Sequence, residues 1–290
     1  MDGQSFELLR RQGAGALRAL LRPQAYVGAA VEVAFTMAHT AAYPVTLAAA
    51  GRQLDDPAPP QSGDAGSPAR PAPVVLVHGY LLNRGVFLRL SGALRRAGFG
   101  HVRSFDYPQQ RWSLPEIAGR LGREVDRAVG DRAAARCMIV AHSMGGIAAR
   151  YYIQHLGGDA RVDTLVTLAT PHRGTYAAGL AVGPAAEQMY WESAFMRDLE
   201  QTARPGPVRY VSYYTDLDAC VVPADSAKLT TPALQAVNIR VRDTGHMSML
   251  GSDQVIRSVV GYLSRPELDR PRPVAAGAGL ASPQRRSMGT

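Results

Sequence analysis

The stretch Cys137-Met138-Ile139-Val140-Ala141-His142-Ser143-Met144-Gly145-Gly146-Ile147-Ala148-Ala149-Arg150-Tyr151-Tyr152-Ile153 changes character in its middle. Cys137 to Val140 is a short apolar run that reads as a buried strand, and Ile147 to Ile153 reads as a helix. Between them stands a serine with small residues two before and two after it, the strand–turn–helix pattern of a nucleophile elbow. Such a turn is sharp, so bulky flanking side chains would collide with the strand and the helix. The strain lifts the hydroxyl clear of the sheet and leaves backbone N–H groups aimed at the same spot. Ala141 occupies a position where glycine is usual, and alanine is still small.

Outward from this elbow the chain alternates strand and helix. Val74-Val75-Leu76-Val77 has no polar alternation, as expected of a strand covered on both faces. A helix is expected from Val86 to Ala97, and a strand from His101 to Phe105. Ser113 as cap and Pro115 in the first turn start a helix over Leu114 to Val129. Strands follow at Asp163 to Leu168, Val208 to Tyr214 and Ala236 to Val241, and a helix at Ser252 to Leu263 closes the series. This alternation predicts an α/β fold with a mainly parallel sheet and helices on both faces. Residues 174–207 break the rhythm. They read as a small cap beside the site or as an ordinary long connecting helix.

A serine hydroxyl is a weak nucleophile and needs a base, which in turn needs an orienting partner. In a parallel sheet these groups gather at the carboxyl ends of strands. Asp218 follows one strand end and His246 follows the last, so the order is Ser143, Asp218, His246, that of the α/β-hydrolase fold. Asp216 is the rival acid. Asp106 is expected to cap a turn with Pro108, and His172 to be structural or to lie at the rim. His142 should point away from the nucleophile. Charge developing on a carbonyl oxygen needs backbone donors. Met144 N–H, directly after the nucleophile, is one, and Tyr80 N–H in His78-Gly79-Tyr80-Leu81 is the other. Gly79 permits close approach and His78 braces the loop, whereas the Tyr80 side chain is expected to matter less than its amide.

The chain has 290 residues, 46% hydrophobic and 19% charged, with a formal charge of +8. It is long enough for one large α/β domain over 73–265 plus appendages. Nearly all positive charge is arginine, and Lys228 is the only lysine. That charge is either a solvated basic surface or an attraction to anionic lipid. Nucleic-acid binding is not expected, because no basic run is interleaved with aromatics. Two cysteines do not make a disulfide scaffold, and no Cys/His spacing suggests a structural zinc site. Residues 1–50 carry Arg10, Arg11, Arg18 and Arg22 ahead of a mostly apolar stretch containing Glu32, His39 and Pro44. They read as a packed or interfacial helical pair, a membrane anchor or a removed signal. Residues 51–72 are a Pro/Gly/Ser-rich linker, and 266–290 have the composition of a disordered tail.

Five blocks carry a family resemblance: Val74 to Tyr80, Ala141 to Gly146, Ala169 to Thr175, Asp218 to Pro223 and Thr244 to His246. Over roughly residues 73 to 264 the chain resembles the bacterial triacylglycerol lipase/esterase family of α/β-hydrolases. It is similar in particular to the small Bacillus-type lipases, which also have alanine at the first elbow position. The resemblance implies an α/β-hydrolase fold and a serine carboxylester hydrolase; from its arginine-rich first segment and Glu32, the chain is expected to be cytoplasmic or membrane-associated rather than secreted. Its substrate would be an acyl ester or lipid, and no metal or organic cofactor would be required. It maps nucleophile to Ser143, acid to Asp218, base to His246 and oxyanion amides to Tyr80 and Met144. An acyltransferase on the same three residues and a non-catalytic binding protein on this fold are the alternatives.

Overall fold

The computed structural model describes residues 72–130 and 136–264, with Val45 alone ahead of them. The helical segment expected over 1–50, the linker and the tail otherwise lie outside the described residues.

Among the described residues, six strands form one parallel sheet: β1 (Val74–Val77), β2 (Val102–Ser104), β3 (Cys137–His142), β4 (Val162–Leu168), β5 (Arg209–Tyr214) and β6 (Val237–Arg240). Their order across the sheet is β2-β1-β3-β4-β5-β6. β1 pairs with β3 in the register Val74 to Met138 through Val77 to Ala141. β3 pairs with β4 up to His142 opposite Leu168, so Ser143 emerges where the ladder ends.

Alternate strand residues feed opposite cores, which is why these strands read as unbroken apolar runs. Val75, Val77, Ile139, Ala141 and Leu165 pack with helices α2 (Leu114–Val129) and α3 (Met144–His155). Val74, Leu76, Met138, Val140 and Val166 pack with α1 (Leu88–Arg96) and, near the C-terminus of the described chain, a helix over Asp253–Leu263. Along α2 the inward residues are Leu114, Ile117, Ala118, Leu121, Val125 and Ala128, spaced by three and four. Its start is a capping box. The Ser113 side chain accepts from Glu116 N–H, and the Glu116 carboxylate accepts from Ser113 N–H at 2.7 Å. The predicted strands at 101–105 and 236–241 form with trimmed ends. β6 is an edge strand and mostly exposed.

Between β4 and β5 the chain runs through a 3-10 turn at Tyr176–Leu180 and two short helices, α4 (Pro184–Gln188) and α5 (Ala194–Gln201). The helix at Asp253–Leu263 is accordingly α6. Arg150 on α3 is wholly buried and fastens this insertion. Its guanidinium donates to Glu200 at 2.9 Å, to the Leu199 and His172 carbonyls and to Thr231 Oγ1. A buried guanidinium is tolerated only with its donors satisfied in this way.

Candidate active site

Ser143 sits between β3 and α3 with φ +53° and ψ −127°. For a residue with a Cβ this is a costly conformation, of a kind that persists only where the surroundings over-determine it. Here they do. Ser143 N–H donates to Leu168 O at 2.9 Å, and Gly146 N–H returns to Ser143 O at 2.9 Å. α3 begins so close to neighbouring chain that side chains are excluded. A Cβ at Gly145 would overlap the His78 and Val77 carbonyls, and one at Gly146 would overlap Thr170. The two glycines after the elbow therefore have a steric reason. Three further non-glycine residues with positive φ, Leu81, Ala169 and Asp243, follow β1, β4 and β6. Two others, Glu192 and Gln235, lie in the insertion and ahead of β6.

Asp218 and His246 meet at this edge. His246 Nδ1 lies 2.9 Å from Asp218 Oδ2, and both side chains are nearly inaccessible. Asp218 Oδ1 is held separately by the N–H groups of Cys220 and Val221, each at 2.8 Å. The carboxylate is thus fixed by two backbone donors, and its second oxygen is left to face the imidazole. Asp216, the rival acid, turns outward to an ion pair with Arg240 on the surface. His142 has a task of its own. Its Nε2 is 3.1 Å from the His246 carbonyl, and the two rings lie 4.7 Å apart. The residue before Ser143 therefore carries the backbone of His246.

The loop after β1 approaches the elbow closely. A Cβ at Gly79 would lie 2.8 Å from Ser143 Cβ. Tyr80 is the next residue along this loop, and Met144 N–H belongs to the first turn of α3, where backbone donors have no partner within the helix. His78 is fully buried, stacked on Tyr107 at 4.3 Å between centroids, and its carbonyl accepts from the Tyr107 hydroxyl. Asp106 does not cap the Pro108 turn as expected. Its carboxylate instead takes Arg84 N–H at 2.8 Å, Arg84 Nε at 3.0 Å and His78 Nε2 at 3.4 Å. Burial alone would raise the Asp106 carboxyl, but the His78 and Arg84 contacts outweigh it and hold it below the usual carboxylate range. The Tyr80 side chain is also more engaged than expected, since its hydroxyl bonds the Val182 peptide in the insertion. These partners lie 22 to 102 residues apart in sequence. No local pattern could have found them.

His172 follows a strand end too, and its setting is different. It is buried, with Nε2 3.0 Å from Thr167 Oγ1 and 3.4 Å from Ser212 Oγ. Burial, with the nearby Arg150 charge, pushes its imidazole well below the ordinary value. It is a neutral structural group. The two cysteines are unbridged thiols. Cys137 lies in the core, where burial drives the thiol up to about 12. Cys220 is exposed, and its sulfur forms with Asp218 and His246 a set of donor atoms all within 4.8 Å of one another. A divalent ion could use that set only in competition with the imidazole–carboxylate hydrogen bond that joins two of its ligands.

A parallel sheet with helices on both faces, a strained serine after β3 and a buried carboxylate–imidazole pair define a lipase-like α/β-hydrolase. The sequence profile of the palmitoyl protein thioesterase family matches residues 73–225, more than half of the chain, and the chain belongs to that family. The match includes Ser143 and Asp218 and ends before His246. Among solved structures, the chain is similar to Aspergillus fumigatus lipase B (TM-score 0.59, 19% identity), over 67% of this chain and 52% of that one. The present chain thus spans about half of that lipase. It is also similar to the mature Bacillus licheniformis lipase BlEst2 (TM-score 0.55, 15% identity), over 70% of this chain and 96% of that one. The lin2722 product of Listeria innocua gives a TM-score of 0.54 at 14% identity, over the same shares. At these identities the likeness is one of fold. Of the sequence resemblance, the lipase-like α/β-hydrolase class stands.

Proposed function

We propose that the chain is a serine hydrolase that cleaves acyl esters through an acyl-enzyme on Ser143. The observation that carries this reading is the 2.9 Å contact between His246 Nδ1 and Asp218 Oδ2 at the edge where Ser143 is held at positive φ. Ser143 Oγ attacks the acyl carbonyl while its proton passes to His246 Nε2. Asp218 keeps the Nδ1–H oriented and stabilises the imidazolium. The carbonyl oxygen, now negative, is met by the N–H groups of Tyr80 and Met144. His246 then protonates the leaving group, and the same imidazole activates water to release the acid. The leaving group is an alcohol or, as the family name suggests, a thiol.

The surroundings favour an acyl lipid or an acylated chain as substrate. Nine large hydrophobic residues are exposed among the described residues. Six of them, Leu81, Tyr176, Leu180, Val182, Tyr190 and Val222, belong to the oxyanion loop, the insertion and the acid loop. Such a patch is suited to an apolar ligand or surface. Arg10, Arg11, Arg18 and Arg22 in the first segment fit the same picture, holding the enzyme at an anionic membrane.

The test is labelling with a fluorophosphonate, followed by hydrolysis of p-nitrophenyl esters and acyl thioesters of increasing chain length. Ser143 should be the labelled residue, and turnover should favour long acyl chains. Absence of label on the folded protein would make the chain a binding protein on a hydrolase fold. In the full chain, changing the four arginines to glutamine should release the protein from anionic vesicles without loss of turnover on a short soluble ester. Undiminished vesicle binding would refute the membrane role.

A further inference from the structure

We propose that the Tyr80 side chain is a positioning residue, a clasp that holds the oxyanion amide in place by gripping the insertion over the site. This rests on the reading of Tyr80 N–H as an oxyanion donor. The Tyr80 hydroxyl donates to Val182 O at 2.9 Å and accepts from Val182 N–H at 3.0 Å. One side-chain atom thus satisfies both backbone groups of one residue, 102 positions away. A phenol ring has two side-chain torsions, so pinning its far end constrains the backbone from which it springs.

That backbone needs an external hold. The inner side of the loop is braced by His78, Tyr107 and Asp106. On the outer side, Leu81 is at φ +56° and exposed, so strain is present and its side chain contributes little packing. The insertion tip is in the same position. Leu180 is 94% exposed and Val182 67%, so the tip is not anchored by burying these side chains. It rests on the turn before α2 through Gly183, whose Cβ would overlap the Gln110 carbonyl. At its other end Thr175 Oγ1 donates to Cys220 O and accepts from Val222 N–H, both at 2.9 Å. The segment from Thr175 to Val182 therefore spans from the acid loop to the oxyanion loop, and Tyr80 closes the span.

An amide donor matters most when charge develops on the substrate oxygen. Loosening it should therefore lower kcat more than it alters KM. Tyr80→Phe keeps the ring and removes both hydrogen bonds. With a short p-nitrophenyl ester, kcat should fall about tenfold while KM stays within about twofold, a smaller loss than the roughly 10² to 10³ for deleting a donor outright. Labelling of Ser143 by a fluorophosphonate should slow in parallel, because the phosphonyl oxygen uses the same donors. An unchanged kcat in Tyr80→Phe, or a change confined to KM or to thermal stability, would overturn the clasp. If wild-type protein labels at Ser143 while Tyr80→Phe turns over normally, only the clasp is lost. If wild-type protein does not label, the hydrolase reading falls and takes the clasp with it.

Discussion

The loops after β4 and after β6 each carry a histidine at the carboxyl edge of one sheet, and the two histidines have opposite surroundings. His172 is buried among hydroxyls, and its burial, followed by the nearby Arg150 charge, disfavours its charged form. His246 has a carboxylate on one nitrogen and the elbow residue His142 on its carbonyl. Position after a strand is thus no guide to chemical use. Of the two, only His246 faces a carboxylate, and the proposed function turns on that difference.

The largest expected effects break this contrast outright. Ser143→Ala and His246→Gln should each lower kcat for ester hydrolysis by on the order of 10⁴ or more, with circular dichroism unchanged. His172→Gln should keep kcat within about tenfold and lower the melting temperature by several degrees, as expected when a buried hydrogen-bonding group is lost. A His172→Gln protein as inactive as His246→Gln would erase the distinction. Next, Asp218→Asn should cost on the order of 10³ to 10⁴ in kcat, since the imidazole loses its orienting acceptor. Asp216→Asn removes only a surface ion pair and should stay within about threefold of wild type. Kinetics of the two asparagine variants decide between the acids.

The smallest effect is one of pH. His172 is depressed when folded, so the unfolded chain binds its proton first as pH falls. Its contribution to stability is complete above the ordinary value of 6.5 and is lost as pH drops from there toward the lower folded value. Melting temperatures between pH 7 and 5 should fall more steeply for wild type than for His172→Gln. Parallel curves would show that His172 is not the group responsible.

What was legible in the sequence followed from local physics. The elbow needs small residues at fixed offsets, and Gly145 and Gly146 meet the strand end and Thr170 where side chains would collide. The strands are legible because burial on both faces leaves no polar alternation, and the start of α2 is marked by Ser113 as cap with Pro115 in the first turn. Asp218 and Asp216 both follow β5 in a short loop, and sequence could only rank them. Folding separates them, because two backbone N–H groups seize one carboxylate and Arg240 the other. Asp106 departs from its sequence reading because Pro108 is near it in sequence, while Arg84 and His78 are near it only in space. The Tyr80 hydroxyl escapes sequence reading for the same reason, its partner lying 102 residues away.

The chain's two cysteines differ in a way that has a practical consequence. Alkylation requires a thiolate. Cys137 is sealed in the core with its thiol raised to about 12, so it stays silent at neutral pH. Cys220 is exposed, and its own N–H holds Asp218. A maleimide fluorophore should accordingly attach at one position, without mutagenesis, a few ångströms from the imidazole. Occupancy of the site, movement of the acid loop and solvent entry would all be read from the colour of that one dye.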